Sequence, residues 1–300
     1  MKIAHIILAH KDPQHITRLS RLLSTFSDVY IHIDSLCDID EYKKNLKDKT
    51  NVYFAEERYH CSWAGYNAVE AEIVLLKMAA EKKYDRYTFL QGADYPIKPI
   101  NEIIHFYENH KSINFNRACC CTNNKKSYFY SRCRYHLFYN NRNIVKQCAN
   151  ILTKCLHLKL RDGYIHEEDG NYKVFWGTAQ WSYTHDCVKY IIDFHKNHKK
   201  FNKWFHTAFA VDEMYFASIV MNSDFKRTTL MGGDEPAKKR LVSWRNLHYF
   251  EYIRLHIKIH TLEDFPFIQN LNDLYLRKVT TEESTPLLDK LDENCNFIYD

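Results

Sequence analysis

Residues 87–99, YTFLQGADYPIKP, constrain this chain more than any other stretch. Tyr87, Thr88, Phe89 and Leu90 form an apolar run with aromatic and β-branched members, the composition of a buried strand. The run stops at Gly92, and Asp94 then stands in a turn closed by Pro96. In an open α/β sheet, ligands gather outside the carboxyl ends of the strands, so a carboxylate placed there marks a candidate site. No second acid accompanies it: the position two residues before Asp94 holds Gly92.

Upstream of that turn, strand and helix signals alternate, which predicts a parallel sheet and the α/β class. Residues 3–9 read as a strand, and 14–26 carry helical spacing at Ile16, Leu19, Leu22 and Leu23. Residues 29–34 form a second strand ending in Asp34, and 51–55 a third. Asn67 with Glu70 resembles a capping box for a helix through Ala80, and 100–109 read as another helix. With only seven glycines and no glycine fingerprint, residues 1–116 form a Rossmann-like nucleotide-binding half without a Gly-rich phosphate loop. Residues 117–170 read as a basic insertion, helical only over 143–160. In 171–279, YKVFWGTAQWSYT (172–184) reads as two strands around Gly177, with helices over 185–197 and 212–221. Short strands follow at 240–244, 252–259 and 273–279, with a helix opening at Thr261. The polar tail, 280–300, is expected to pack loosely. The whole is read as a single domain of 300 residues.

Charge is unevenly placed. Residues 109–161 contain no acid and eleven basic residues: Lys111, Arg117, Lys125, Lys126, Arg132, Arg134, Arg142, Lys146, Lys154, Lys159 and Arg161. That leaves 31 of the 42 basic residues to face all 37 acids elsewhere, a net of −6. The segment has either an anionic partner or the ordinary role of a solvated or ion-paired face. Tyr128, Tyr130, Tyr135 and Tyr139 interleave with its cations, a pattern that can stack bases. Against nucleic acid stand the acidic remainder and the lack of any nucleic-acid-binding motif. The ten cysteines show no CxxC pair and no structural zinc spacing, so reduced thiols are expected, and no metal or other cofactor. No apolar run reaches membrane-spanning length, which points to a cytoplasmic protein, at most peripheral at the inner face of a membrane.

Several acids and bases are candidates for chemistry. Asp212 and Glu213 open the helix after residue 211; Asp212 suits a helix cap, which frees Glu213 to face a cleft as a general base. Asp34, at a strand end, suits either a ribose or base edge or a local turn. Asp38 and Asp40 precede a polar helix, where acids favour the helix dipole. Arg254 and Lys278 lie in the last third, and if folded together they would clamp a diphosphate.

Eight segments in order carry a resemblance: HIILAHKDP (5–13), VYIHIDS (29–35), CSWAGYNAVEAEIVLL (61–76), FLQGADYPIKP (89–99), FWGTAQWSYT (175–184), VDEMYF (211–216), RLVSW (240–244) and LYLRK (274–278). Together they resemble the core-2/I-branching β-1,6-N-acetylglucosaminyltransferase family (glycosyltransferase family 14), which includes peptide O-xylosyltransferases. The resemblance implies a GT-A-like fold and an inverting, metal-independent transfer of a sugar, GlcNAc or xylose, from a UDP-sugar to a hydroxyl. It places the catalytic base on Glu213, donor contacts on Asp34, Arg254 and Lys278, and an acceptor-stacking ring on Trp244. Asp94 then shapes the donor pocket rather than acting as an acid. Val211 stands where the family has Pro, Gln91 where it has Ser, and LYLRK is a loose form of its FARKF ending. The disulfides and membrane anchor of the family's extracellular members are not evident, which suggests a bacterial enzyme. Its acceptor would be a glycan or lipid-linked glycan in surface polysaccharide synthesis, met near an anionic membrane surface. The competing readings are a metal-dependent GT-A transferase using Asp94 or Asp38 and Asp40, and a polyanion-binding protein.

Overall fold

Along β1 (Ile3–Ala9) the side chains alternate: Ala4 and Ile6 enter one hydrophobic cluster, while Ile3, Ile7 and Ala9 enter another. A strand buried on both faces has to lie inside a sheet covered by helices on both sides. The computed structural model, which describes residues 1–140, 143–236, 246–254 and 256–299, has that layout. After β1 come α1 (Pro13–Leu23), β2 (Asp28–Ile33), α2 (Asp40–Asn45), β3 (Val52–Phe54), α3 (Asn67–Ala80) and β4 (Arg86–Gln91). Then follow β5 (Asp94–Pro96), α4 (Ile100–Asn109), β6 (Ala118–Cys120), α5 (Tyr128–Cys133), α6 (Ile144–Cys155), β7 (Tyr164–His166), β8 (Asn171–Lys173), β9 (Phe175–Gly177) and β10 (Ser182–Thr184). The remainder comprises α7 (His185–Asn197), α8 (Lys199–Phe205), α9 (Tyr215–Met221), β11 (His248–Phe250), β12 (Tyr252–Ile253), β13 (His256–Ile257), α10 (Phe265–Ile268), β14 (Tyr275–Arg277) and α11 (Thr281–Cys295).

The main sheet has the order β10-β4-β1-β2-β3; its first four strands in sequence are mutually parallel and β10 runs antiparallel to β4. This mixed central sheet between helical layers is a GT-A-like arrangement. A second sheet, β11-β14-β5, starts where the first one ends. The turn after β4 therefore does more than reverse the chain. Its residues Asp94, Tyr95 and Pro96 pair antiparallel with Arg277, Leu276 and Tyr275, and Pro96 is accommodated because β5 is an edge strand. Gly92 makes the junction possible. A Cβ there would lie 2.9 Å from Ala9 Cβ and 3.0 Å from Ile16 Cδ1, so no side chain fits between β4 and β1.

Three expectations are corrected. Asn67 is the first residue of α3 and not its cap: its backbone N–H donates to Asn140 Oδ1 (2.9 Å) and its side chain to the His60 carbonyl (2.9 Å), so no capping box forms. The basic insertion is partly core. Its β6 pairs with β9, and Cys119, Cys121, Phe129, Cys133 and Ile165 join the larger hydrophobic cluster. The tail is not loose. Thr280 caps α11, Asp12 receives the Thr281 N–H (2.8 Å), and Leu287, Leu288, Leu291 and Cys295 are buried. Four apolar residues among many polar ones, with Pro286 directly before them, hid that stripe in the sequence. The strand expected at 240–244 lies outside the described residues. If α11 is part of the core, Leu291→Ala should cost about 2–5 kcal/mol in urea unfolding. A loss under about 1 kcal/mol would restore the loose-tail reading.

Candidate active site

Val211, Asp212 and Glu213 form a single 3₁₀ turn ahead of α9, entered through Ala210 at φ 52°. Val211 and Met214 are fully buried on either side of it, so the two acids are turned out of the core and into a cleft of about 490 Å³. Neither acid caps the helix: its N-cap is Met214, with no side-chain capping bond, so the capping role expected for Asp212 is not what holds it there. The indole Nε1 of Trp176, in β9, donates to Glu213 Oε2 at 2.7 Å. Burial pushes the Glu213 carboxyl up to about 8, Asp212 beside it pushes the same way, and the indole bond opposes both. Asp212 is also raised, chiefly by burial, with its backbone bonds and the Arg277 charge opposing. The next residue after Trp176 is Gly177, another lining residue. A Cβ on it would fall 2.2 Å from the Arg117 carbonyl oxygen, so the strand reaches the cleft only with glycine.

Across the cleft stand Arg277 and Lys278, at the end of β14. Arg277 is held from behind: its Nη1 donates to Asp94 Oδ1 at 2.7 Å. Asp94 is fully buried; its Oδ2 accepts the Gln91 N–H (2.7 Å) and lies 3.2 Å from His248 Nε2. Burial alone would raise the Asp94 carboxyl, but Arg277 and His248 outweigh it and hold it below the ordinary carboxylate range. Asp94 thus has no oxygen to offer a donor, and its part is to position Arg277. Lys278 is lowered by burial and by the nearby cations Lys11 and Arg277, with Glu283 opposing. His10 is lowered by burial, Lys11, Lys278 and Arg277, with Asp34 opposing. The ends of β1 and β14 therefore converge on a cluster of positive charge, the electrostatic form of a diphosphate site.

The other expected residues fall in different places. Arg254 is exposed at the turn between β12 and β13, at φ 57°, and does not line the cleft, whereas His256 and Ile257 beyond that turn do. The structure brings Glu213 and Lys278 together but not Arg254. Asp34, 4 % exposed, accepts the Leu36 N–H (3.0 Å) and the Cys61 N–H (2.7 Å) and meets His60 Nδ1 at 3.1 Å. Burial would raise it, but those bonds lower it overall, and its visible work is to join the loops after β2 and β3. Trp244 lies outside the described residues. Asp38 accepts the Asp40 N–H (2.9 Å) at the entry to α2, a local turn. Among the described residues no three His, Cys, Asp or Glu side chains gather in a form that would hold a metal ion.

Three lining residues were missed in the sequence. Arg277 was passed over for its neighbour, though its register opposite Asp94 was readable only once β5 and β14 paired. Gln180, between β9 and β10, is one polar residue in an apolar motif. Trp63 is 71 % exposed, lines the cleft, and is held edge-on by Tyr139 and Phe209 with ring centroids 5.8 and 5.5 Å away. A fixed, exposed indole beside a carboxylate is a platform for a sugar face.

The chain is 30% identical over 111 residues to a human protein described as "Probable beta-1,3-galactosyl-O-glycosyl-glycoprotein beta-1,6-N-acetylglucosaminyltransferase 7". That match covers 35% of this chain and 26% of the human protein, so the chain spans about a quarter of that relative's length. Among solved structures it is similar to mannose-1-phosphate geranyltransferase from Thermus thermophilus, at 8% identity over 73% of this chain and 72% of that one; the TM-score of 0.31 is too low to bear on fold or function. The description "Branch: Core-2/I-Branching enzyme" matches residues 3–269. With nearly the whole chain matched, this protein belongs to the Core-2/I-Branching enzyme family.

Proposed function

We propose that this protein is a glycosyltransferase that moves a sugar, GlcNAc or xylose, from a UDP-sugar to a glycan hydroxyl with inversion and without a metal ion. The observation that carries the reading is the pairing of a raised carboxylate, Glu213, with the cations Arg277 and Lys278 on one cleft. In the reaction, Glu213 removes the proton from the acceptor hydroxyl as its oxygen attacks the anomeric carbon. The bond from that carbon to the donor diphosphate breaks on the opposite side, and the departing negative charge grows beside Arg277 and Lys278. Groups fixed in advance where charge develops supply the largest share of such rate enhancements. We assign the clamp to Arg277 with Lys278, supported by Lys11, and an acceptor platform to Trp63.

Metal independence is supported by sterics. A second acid two residues before Asp94 would have to replace Gly92, whose Cβ would press on Ala9 and Ile16. Asp94 itself is engaged by Arg277 and His248. We further propose a bacterial enzyme of surface polysaccharide synthesis, with a lipid-linked glycan as acceptor. No described helix is long and apolar enough to cross a membrane.

A screen of UDP-sugars by hydrolysis and thermal shift identifies the donor. With that donor, Glu213→Gln should lower kcat by about 10²–10⁴ while UDP still binds in calorimetry; near-normal turnover would remove Glu213 as the base. Because the base must be ionised and its pKa is raised, kcat/KM should climb with pH through a limb near 8. Asp212 contributes to that elevation, so Asp212→Asn should move the limb to lower pH; an unmoved limb would assign it to another group. Activity should persist in excess EDTA, and a complete loss restored by manganese would overturn the cationic clamp.

A further inference from the structure

Helix α6 is amphipathic in the wrong sense for a soluble protein. Its inward side is polar: Asn150 bonds both the N–H (2.7 Å) and the carbonyl (3.0 Å) of Phe138, and Lys146 Nζ donates to the Asn140 carbonyl (2.7 Å). Its outward side is apolar. Ile144, Val145, Ile151 and Leu152 are 78, 76, 62 and 57 % exposed, and Leu156 and Leu160 continue the surface at 58 and 71 %. Residues 144, 145, 151, 152 and 156 repeat at helical spacing on one stripe, so the exposure is a continuous face. Seven of the seventeen large apolar residues exposed in the described chain fall within 144–160. A patch of that kind on a soluble surface marks an interaction site.

Charge decides what covers it. The helix and its flanks carry Lys146, Lys154 and Lys159 and belong to the acid-free stretch 109–161. A second copy of the same helix would bring lysines against lysines with no acid on either helix to offset them, which disfavours self-pairing. An anionic bilayer supplies both halves of the match, acyl chains for the leucines and isoleucines and phosphate headgroups for the exposed Lys159 and the half-buried Lys154, whose Nζ also donates to Tyr139 Oη (3.3 Å). The helix is also coupled to the cleft. Asn150 holds it to Phe138, the adjoining Tyr139 packs on Trp63, and Trp63 lines the cleft that contains Glu213.

We infer that α6 is an interfacial membrane-docking helix, which lies in the headgroup region of an anionic bilayer and holds the rim of the cleft against that surface. The inference rests on the proposed lipid-linked acceptor only for its purpose, and the two readings fail separately.

The test is flotation of the purified full chain with vesicles of phosphatidylcholine alone or with about a third phosphatidylglycerol, at low and high salt. Wild-type protein should float with the anionic vesicles at low salt, much less at high salt, and poorly with the zwitterionic ones. The combined variant Ile144→Gln, Val145→Gln, Ile151→Gln, Leu152→Gln changes only exposed positions to good helix formers, so its melting temperature should stay put. It should bind anionic vesicles about tenfold more weakly or worse while retaining UDP-sugar hydrolysis. Wild-type protein that stays unbound at low salt would overturn the inference, as would a variant that floats equally well. A wild-type dimer in light scattering that the variant dissociates would give the face to self-association instead. Glu213→Gln that is inactive but still floats leaves the docking intact, so the catalytic and docking readings are told apart.

Discussion

The ion pair between Asp94 and Arg277 ties β5 to β14 within the second sheet and sets the chemistry of the cleft. Asp94 is fully buried, and Arg277, 16 % exposed, reaches from it to the cleft. Removing one charge from such a pair leaves the other uncompensated, at a cost of about 3–5 kcal/mol. The pair lies at the first rung between β5 and β14, just after the turn that leads from the main sheet into the second, so the cation that faces the cleft is fixed by the same strand pairing. Lys278, the next residue, inherits that placement. A guanidinium anchored from behind loses little freedom when an anion arrives in front of it, which is the physical advantage of preorganised arginine.

Opposite this positive end stands a negative one built by different means. Asp212 and Glu213 share a 3₁₀ turn whose flanking residues are sunk in the core, and two carboxyls held that close cannot both ionise freely. One is therefore kept reluctant to lose its proton, the condition a general base needs when its working range lies near neutrality. In the proposed reaction the donor end would require charge that persists, and the acceptor end charge that can be exchanged. The fold separates the two demands by placing them on different elements, β14 and the turn before α9.

Much of this was legible in the sequence where local chemistry decides the outcome. The helix over 100–109, the one over 185–197 and the parallel strands follow from periodicity that tertiary contacts only reinforce. Glu213 was expected to face a cleft and lines one, but not for the reason expected, since Asp212 beside it lines the same cleft and caps no helix. What could not be read was register. Asp94 looked like a ligand contact until Arg277 was seen opposite it, and Arg254 looked like the natural partner of Lys278 until it proved to sit exposed at a hairpin turn. The tail failed for another reason. Its stripe of Leu287, Leu288 and Leu291 is short, and helix formation there depends on Asp12, some 270 residues earlier in the chain, to hold its first turn. Trp63 carried no signal at all, since an exposed indole in a loop looks the same whether it is idle or braced by Tyr139 and Phe209.

The contact between Gly92 and Ala9 has a consequence for how such enzymes diverge. An aspartate at position 92 would be the simplest genetic route from a protein cation to a bound metal, since it would stand two residues before Asp94. Here that route is obstructed by packing, because a Cβ at position 92 would lie 2.9 Å from Ala9 Cβ and 3.0 Å from Ile16 Cδ1 and would have to displace both. Even if it did, Asp94 would have to give up Arg277 first. If the proposed cationic clamp is the one in use, two ways of carrying a diphosphate's charge are separated here by packing as well as by chemistry, and passing from one to the other would take changes at several core positions together.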